Sequence, residues 1–204
     1  EIIVEVGILR NRVSLCLDCC GAGLSRRGYR TYNVAAPLSE TLGAGIVLLS
    51  HFYAGGTLID PMCGSGTIAI EAAMSALRIP PGKFRKSYGF MKWRNWDEAL
   101  FESVKGEYAR QEAEQTDLKI YGSDISPSAL RTASRNIMNA GLDEAVEITY
   151  ADFAEFTPAR EGAYIIINPP YGERLAKGET DSLYGMIGST LKHRCHGCTA
   201  WIIT

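Results

Sequence analysis

Apolar and polar positions alternate weakly over the first 18 residues. Ile3, Val13, Leu15 and Leu17 fall on one face, and Leu9-Arg10-Asn11-Arg12 offers a turn, so a hairpin is expected. Residues 21–33, GAGLSRRGYRTYN, show no period and are rich in glycine and arginine, as a loop or linker is. Residues 37–52 open on proline and place Leu38, Leu42, Ile46 and Leu49 at helical spacing. A helix is predicted there, although two glycines weaken it. From residue 57 short apolar runs alternate with segments of helical period. Strands are predicted at 57–60, 117–124, 145–152, 163–168 and 199–203, and helices at 66–77, 126–141 and 180–194. The second of these helices has Ser126 as N-cap, Pro127 in its first position and Gly141 just past its end. Such alternation predicts an α/β fold: a doubly wound, mostly parallel sheet with helices on both faces. Ligands of such sheets bind beyond the carboxyl ends of the strands. Residues 78–116 interrupt the pattern with a Pro/Gly loop, an aromatic-basic segment and a helix carrying Trp96, Leu100, Val104 and Tyr108 at i+4 steps.

A chain of 204 residues is long enough for one such domain with a real core. Lys and Arg number 21 against 23 Asp and Glu, a net charge of −2, so any basic footprint for nucleic acid must be local. No apolar run reaches the roughly 18 residues that span a bilayer. The start lacks the basic n-region and long apolar h-region of a signal peptide. A cytoplasmic protein without membrane contact is expected. The first and last residues both read as strands that begin or stop abruptly, which suggests a piece of a longer protein. Cys16/Cys19 and Cys195/Cys198 have C-x-x-C spacing and lie near His193 and His196 in sequence, a pattern zinc can use. Nothing in the sequence forces the two pairs together, and ordinary cytosolic thiols fit them better, so no metal is expected.

The stretch LIDPMCGSGTIAIEAA reads as strand, loop and helix, with Gly64-x-Gly66-x-x-Ala69 in the loop. Small residues let a ligand approach the backbone, and the helix N-terminus supplies free N–H groups. The next strand ends in Asp124, which suits the two ribose hydroxyls of a nucleoside. Asp124 lies 58 residues after Gly66, where about 20 is usual. Setting aside residues 80–117 restores that spacing, so the segment is read as an insertion. The third strand ends in Asp152-Phe153, placed to hydrogen-bond and pack against an adenine. Each aspartate also suits plain loop capping, but three strand ends around one glycine loop favour a nucleotide site. Asp60 stands where NAD enzymes usually run straight into glycine. An acid there can face the amino group of a methionine-like cofactor.

The fourth predicted strand leaves the core through Asn168-Pro169-Pro170-Tyr171. Prolines fix φ and offer no N–H, so the loop carbonyls are held as acceptors. Asn168 adds a side-chain carbonyl. An exocyclic amine has two N–H donors to give to such acceptors. Held by Asn168 and the Pro169 carbonyl, its lone pair is drawn out of conjugation and toward an electrophile. Tyr171 offers a flat face on which the base can stack.

DPMCGSGT, GSDIS and NPPYGER resemble the class I S-adenosylmethionine-dependent methyltransferases that act on exocyclic amines. More narrowly, the chain resembles the THUMP-containing bacterial 23S ribosomal RNA guanine-N2 methyltransferases. LDCCGAGLSRRGYR is similar to their linker after THUMP, APLSETLGAGIV to their pre-sheet helix, and IPPGKFRKSYGFMKWRNWD to their insertion. The resemblance runs from about residue 13 to the end. It implies a Rossmann-like methyltransferase fold lacking its last strands. Residues 1–33 would be the tail and linker of a preceding RNA-binding, THUMP-like domain. Residues 34–204 would be the methyltransferase domain, with an insertion at 78–117. The implied cofactor is S-adenosylmethionine, lined by Asp60, Met62, Gly64, Gly66, Asp124, Ile125, Asp152 and Phe153. The implied target-amine residues are Asn168, Pro169, Pro170 and Tyr171.

RNA has two candidate footprints. Residues 83–94, KFRKSYGFMKWR, carry five cations, no acids and four interleaved rings, the features of single-stranded RNA contact. Packing of the rings under solvated cations is the competing reading. Arg26, Arg27 and Arg30 form the second patch, or a solvated linker. Arg174 suits a contact to the target nucleotide or a local ion pair. The readings that stay open are N2 methylation of guanine in 23S rRNA, methylation of another amine (tRNA guanine, DNA adenine or cytosine, protein glutamine), and a non-catalytic nucleotide- or RNA-binding module.

Overall fold

The computed structural model of the chain describes residues 2–31, 37–113, 118–158, 161–170 and 179–204, without the side chain of Glu179. β1 (Val4–Leu9) and β2 (Arg12–Leu17) pair antiparallel, with Val4 opposite Leu17 and Leu9 opposite Arg12. Arg10 and Asn11 both take positive φ, 46° and 59°, in the two-residue turn whose twist suits a hairpin. This register gathers Val4, Val6, Ile8, Val13, Leu15 and Leu17 on one face, all exposed. Ile3, expected with them, falls on the other face, because side chains alternate along a strand and Val4 already faces Leu17.

β3 (Thr57–Asp60), β4 (Lys119–Asp124), β5 (Val146–Tyr150), β6 (Tyr164–Ile167) and β7 (Thr199–Ile202) form one parallel sheet in the order β5-β4-β3-β6-β7. The chain builds outward from β3 to β5 and then returns to β3's other side. The order therefore reverses between β3 and β6, where open α/β sheets leave a crevice for ligands. Around the sheet lie α1 (Glu40–Leu49), α2 (Thr67–Ala76), α4 (Pro127–Asn139) and α5 (Glu179–Arg194), while α3 (Glu98–Ala109) closes the insertion.

Two apolar cores flank the sheet, and β6 shows why. Ile166 packs with Leu58, Ile70, Ile120 and Ile137 on one side, and Ile165 and Ile167 pack with Ile59, Phe153 and Ile187 on the other. A strand covered on both faces has no use for alternation, hence three consecutive isoleucines. α1 departs from its expected face: Leu42 and Leu49 are exposed, and Glu40, Gly43 and Val47 are buried. Gly43 is the seat of the contact with α2. A Cβ there would stand 3.2 Å from Thr67 Cγ2, so the glycine that weakens the helix is what lets it dock.

The insertion folds back on itself. Tyr88 stacks on Phe90 at 5.1 Å between centroids, and Phe90, Trp96 and Phe101 complete a ring cluster. α3 forms as expected, but Leu100, Val104 and Tyr108 are exposed rather than buried. Arg85 lies over the Tyr88 ring and donates to the carbonyls of Cys20, Ala22 and Gly23, so this cation latches the linker. Lys86, Lys92 and Arg94 remain exposed. Two of the three linker arginines turn inward as well. Arg27 and Tyr29 reach the buried Glu71 of α2, and Arg30 pairs with the buried Glu40 of α1. Arg26 alone of the three is exposed.

Candidate active site

The carboxyl ends of β3, β4, β5 and β6 open onto a cavity of about 330 Å³, within the size range of small-ligand sites. Asp60, Met62, Gly64, Asp124, Ile125, Asp152, Phe153, Asn168 and Pro170 line it. The structure thus brings most of the expected site residues together from four separate strand ends. Gly66 and Pro169 do not line the cavity themselves, although their chain neighbours Ser65, Thr67, Asn168 and Pro170 do. Tyr171 and Arg174 fall outside the described residues.

The loop after β3 is held from several sides. Asp124 Oδ2 accepts from the Gly64 N–H at 2.9 Å, and its Oδ1 accepts from the Ser126 N–H at 2.8 Å. Asp124 therefore ties the glycine loop to the start of α4, leaving further lone pairs open to a ligand. Gly66 precedes α2 at φ 79°, and a Cβ there would lie 3.3 Å from Ala133 Cβ, so both conformation and space favour glycine. The buried Asn136 donates to the Ser65 carbonyl at 3.1 Å and fixes the loop from below. Asp152 accepts from the Ala154 N–H and caps a short 3₁₀ turn, so the capping reading is met while the carboxylate still lines the cavity. Phe153 is mostly absorbed by the second core, against Phe156. Ile125 is 60% exposed at the mouth, an apolar lip for a flat ring.

Two groups stand out by what they lack. Both carboxylate oxygens of Asp60 are buried without a completed hydrogen bond, and so is Asn168 Oδ1. Burial pushes the Asp60 pKa up to about 8, with the Met62 N–H giving partial relief and Asp124 adding repulsion. A buried acceptor with no donor is costly, so these oxygens are set for donors that a ligand brings. The lining is also one-signed. It contains three aspartates and, among the described residues, no Lys, Arg or His. Such a cavity suits a cationic ligand and opposes the pyrophosphate of a dinucleotide. The Oδ1 of Asn168 suits one N–H of an amine.

Other wall residues carried no sequence signal. Pro37 and Leu38 come from the entry to α1, and Leu183 and Met186 from α5. The last two, three residues apart, share a helix face, but only the topology shows that α5 returns over the crevice. The cysteine pairs do not line the cavity. Cys16 is at the end of β2 and Cys195 just after α5, none of the six cysteines is in a disulfide, and among the described residues no cluster of three metal-ligating side chains occurs.

A parallel sheet reversing at a glycine loop, an acidic cavity and an Asn-Pro-Pro exit together define a class I methyltransferase fold. Residues 27–204 match the family described as RMKL-like, methyltransferase domain, and the chain belongs to that family. It is 41% identical over 189 residues to the ribosomal RNA large subunit methyltransferase K/L of Psychromonas ingrahamii, covering 90% of this chain and 25% of that one. It is 39% identical to the protein of the same description from Vibrio campbellii, covering 100% and 30%. Among solved structures, SMU.472, described as a putative methyltransferase complexed with SAH, superposes with a TM-score of 0.91 at 33% identity over 99% of this chain and 52% of its own. A protein from Listeria monocytogenes described as a "predicted N6-adenine-specific DNA methylase" gives 0.89 at 33%, over 98% and 52%. The chain thus spans less than a third of these curated relatives and about half of these solved chains.

Proposed function

We propose that this chain is the catalytic domain of an S-adenosylmethionine-dependent methyltransferase acting on the N2 amine of a guanine in 23S ribosomal RNA. The observation that carries the cofactor is the cavity lined by three aspartates and no cation, with the Asp60 oxygens buried and unpartnered. Asp60 would meet the ammonium of the cofactor, Asp124 its ribose, and Ile125 and the Asp152–Phe153 turn its adenine. The cofactor supplies an electrophilic sulfonium methyl. The chain's part is to hold the amine in line with it, with Asn168 Oδ1 and the Pro169 carbonyl accepting the two N–H groups and Tyr171 stacking on the base. With the donor bound, these acceptors would turn the nitrogen lone pair toward its methyl, and the amine proton would leave to water after transfer. No base stronger than these acceptors is needed, and the rate gain comes from orientation and electrostatics.

The RNA substrate is supported by the relatives' description and by Lys86, Lys92 and Arg94, which are exposed on the insertion. Residues 1–33 are proposed as the tail and linker of a preceding RNA-binding domain, and 34–204, with the insertion 78–117, as the catalytic unit. The inward turn of Arg27, Tyr29 and Arg30 adds that the linker's last part is packed as an integral layer of that unit. Tritiated-methyl transfer by the full-length protein onto RNA from a strain lacking it, followed by nucleoside identification, tests the reading. N2-methylguanosine supports it. A different methylated nucleoside, or no tritium in that RNA, would overturn it.

A further inference from the structure

The cofactor cavity is walled on one side by residues 37–38 and floored on another by the start of α2. These two walls belong to segments separated by β3, and one guanidinium joins them. Arg30 Nη2 donates to the Leu38 carbonyl at 2.9 Å and to Thr67 Oγ1 at 2.6 Å, while Nη1 stands 3.8 Å from Glu40 Oε2. Leu38 and Thr67 both line the cavity, and Arg30 itself does not. Thr67 is fixed on its other side too: Gly43 of α1 lies so close that a Cβ there would approach Thr67 Cγ2 to 3.2 Å. Thr67 Oγ1 also lies 3.2 Å from Ser65 Oγ, which carries the restraint into the glycine loop.

We infer that Arg30 is a positioning residue of the methyl-donor site: it sets the spacing between the Pro37–Leu38 wall and the Ser65–Thr67 floor, and so the affinity for the donor. The inference rests on the cavity being the cofactor site. Lysine is a poor replacement, because the guanidinium plane keeps Nη2 on both oxygens while Nη1 faces Glu40, and an ammonium on a flexible stem fixes no such geometry. Arg27, three residues earlier, makes a useful contrast. Its side chain is as buried as that of Arg30, 10% exposed in each case, and it too pairs with a helix carboxylate. Its partner Glu71, however, is a full turn further along α2 and does not line the cavity. The two arginines stitch the same linker to the same helix, and one of them touches the walls of the site.

The test is S-adenosylhomocysteine binding by calorimetry to the full chain and to matched variants Arg30→Lys and Arg27→Lys, with Thr67→Val and the double variant Arg30→Lys/Thr67→Val. Arg30→Lys is expected to weaken binding about tenfold, and Arg27→Lys to leave it within about twofold while lowering the urea midpoint. The double variant should bind no worse than the weaker single one, because both remove the same link. Three results would overturn the inference: Arg30→Lys binding within about twofold of the parent, Arg27→Lys weakening binding as much as Arg30→Lys, or the Arg30 and Thr67 effects multiplying as independent losses. An unmodified chain that fails to bind S-adenosylhomocysteine would overturn the cofactor reading itself, and that outcome is read before any variant is compared. Thr67→Val removes the hydroxyl shared by Arg30 and Ser65 and leaves the linker sequence intact, so one arm stays readable even if a linker variant unfolds.

Discussion

Replacing Asp60 by Asn should make the ligand-free chain more stable at neutral pH while abolishing cofactor binding. The carboxyl is buried with both oxygens unpartnered, and its pKa rises from 3.8 to about 8. The unfolded chain gives up this proton near pH 4, whereas the folded chain keeps it until about pH 8. Between those values the unfolded state binds fewer protons, so stability falls as pH rises. At about 1.36 kcal/mol per pH unit, the loss between about pH 5.5 and 8 is about 3 kcal/mol. An asparagine in this place does not titrate. The stability difference between Asp60→Asn and the parent should therefore swing by about 3 kcal/mol in favour of the variant across that range. Urea unfolding of both proteins at the two pH values measures it. Comparing the two differences cancels every other carboxylate and the cost of the unpartnered amide. A swing below about 1 kcal/mol would refute the reasoning, because it would put the folded carboxyl pKa near or below about 6 rather than about 8. The same proton enters binding. The ligand ammonium needs the carboxylate, so the dissociation constant for S-adenosylhomocysteine should tighten about tenfold per pH unit between about pH 6 and 7.5 in the parent. Asp60→Asn should show no measurable binding at any of these values.

Asn168→Ala should lower methyl transfer at least about a hundredfold while leaving S-adenosylhomocysteine affinity within a few-fold, as measured by tritium incorporation and calorimetry on the same preparation. Arg27→Met leaves Glu71, already raised in pKa by burial, without its cation. It should cost roughly 3–5 kcal/mol in urea unfolding. Joint replacement of Lys86, Lys92 and Arg94 by Ala should weaken RNA binding and flatten its log–log salt slope by about 2, at ~0.7 per contact for a single strand. An unchanged slope would remove the insertion from the RNA footprint.

The chemistry-bearing residues were readable because they sit where a parallel sheet must put them. Asp60, Asp124, Asp152 and Asn168 all close predicted strands, and the carboxyl ends of parallel strands meet at one edge. The walls supplied by Pro37–Leu38 and by Leu183 and Met186 were not readable, because a helical stripe does not say what it faces. α1 shows the same limit more sharply. Its leucines at helical spacing suggested the inner face, yet Leu42 and Leu49 point outward and Glu40 points inward. A buried glutamate on a short helix makes sense only once Arg30, ten residues earlier and in a segment without period, is placed beside it. The insertion was legible as a rupture of spacing between Gly66 and Asp124, but its rings and its cations could not be assigned separately. Folded, the rings consume one another and Arg85 turns back onto the linker.

The fate of the basic residues follows a rule of chemistry rather than of position. Among the described residues of the linker and insertion, the cations that bind several fixed oxygens are arginines: Arg27, Arg30 and Arg85. A planar guanidinium holds such acceptors in fixed directions, whereas an ammonium is a hydrated point charge on a flexible stem. Lys86 and Lys92 stay in water, where a strongly hydrated point charge on a flexible stem costs least. Arg94 stays out too, so being an arginine is not sufficient; two well-placed acceptors are also required. A chain with a net charge of −2 thereby gathers three acids in one cavity and leaves a small set of exposed cations on the insertion. On the proposed function, that division would draw a cationic cofactor and a polyanionic substrate to different parts of one domain.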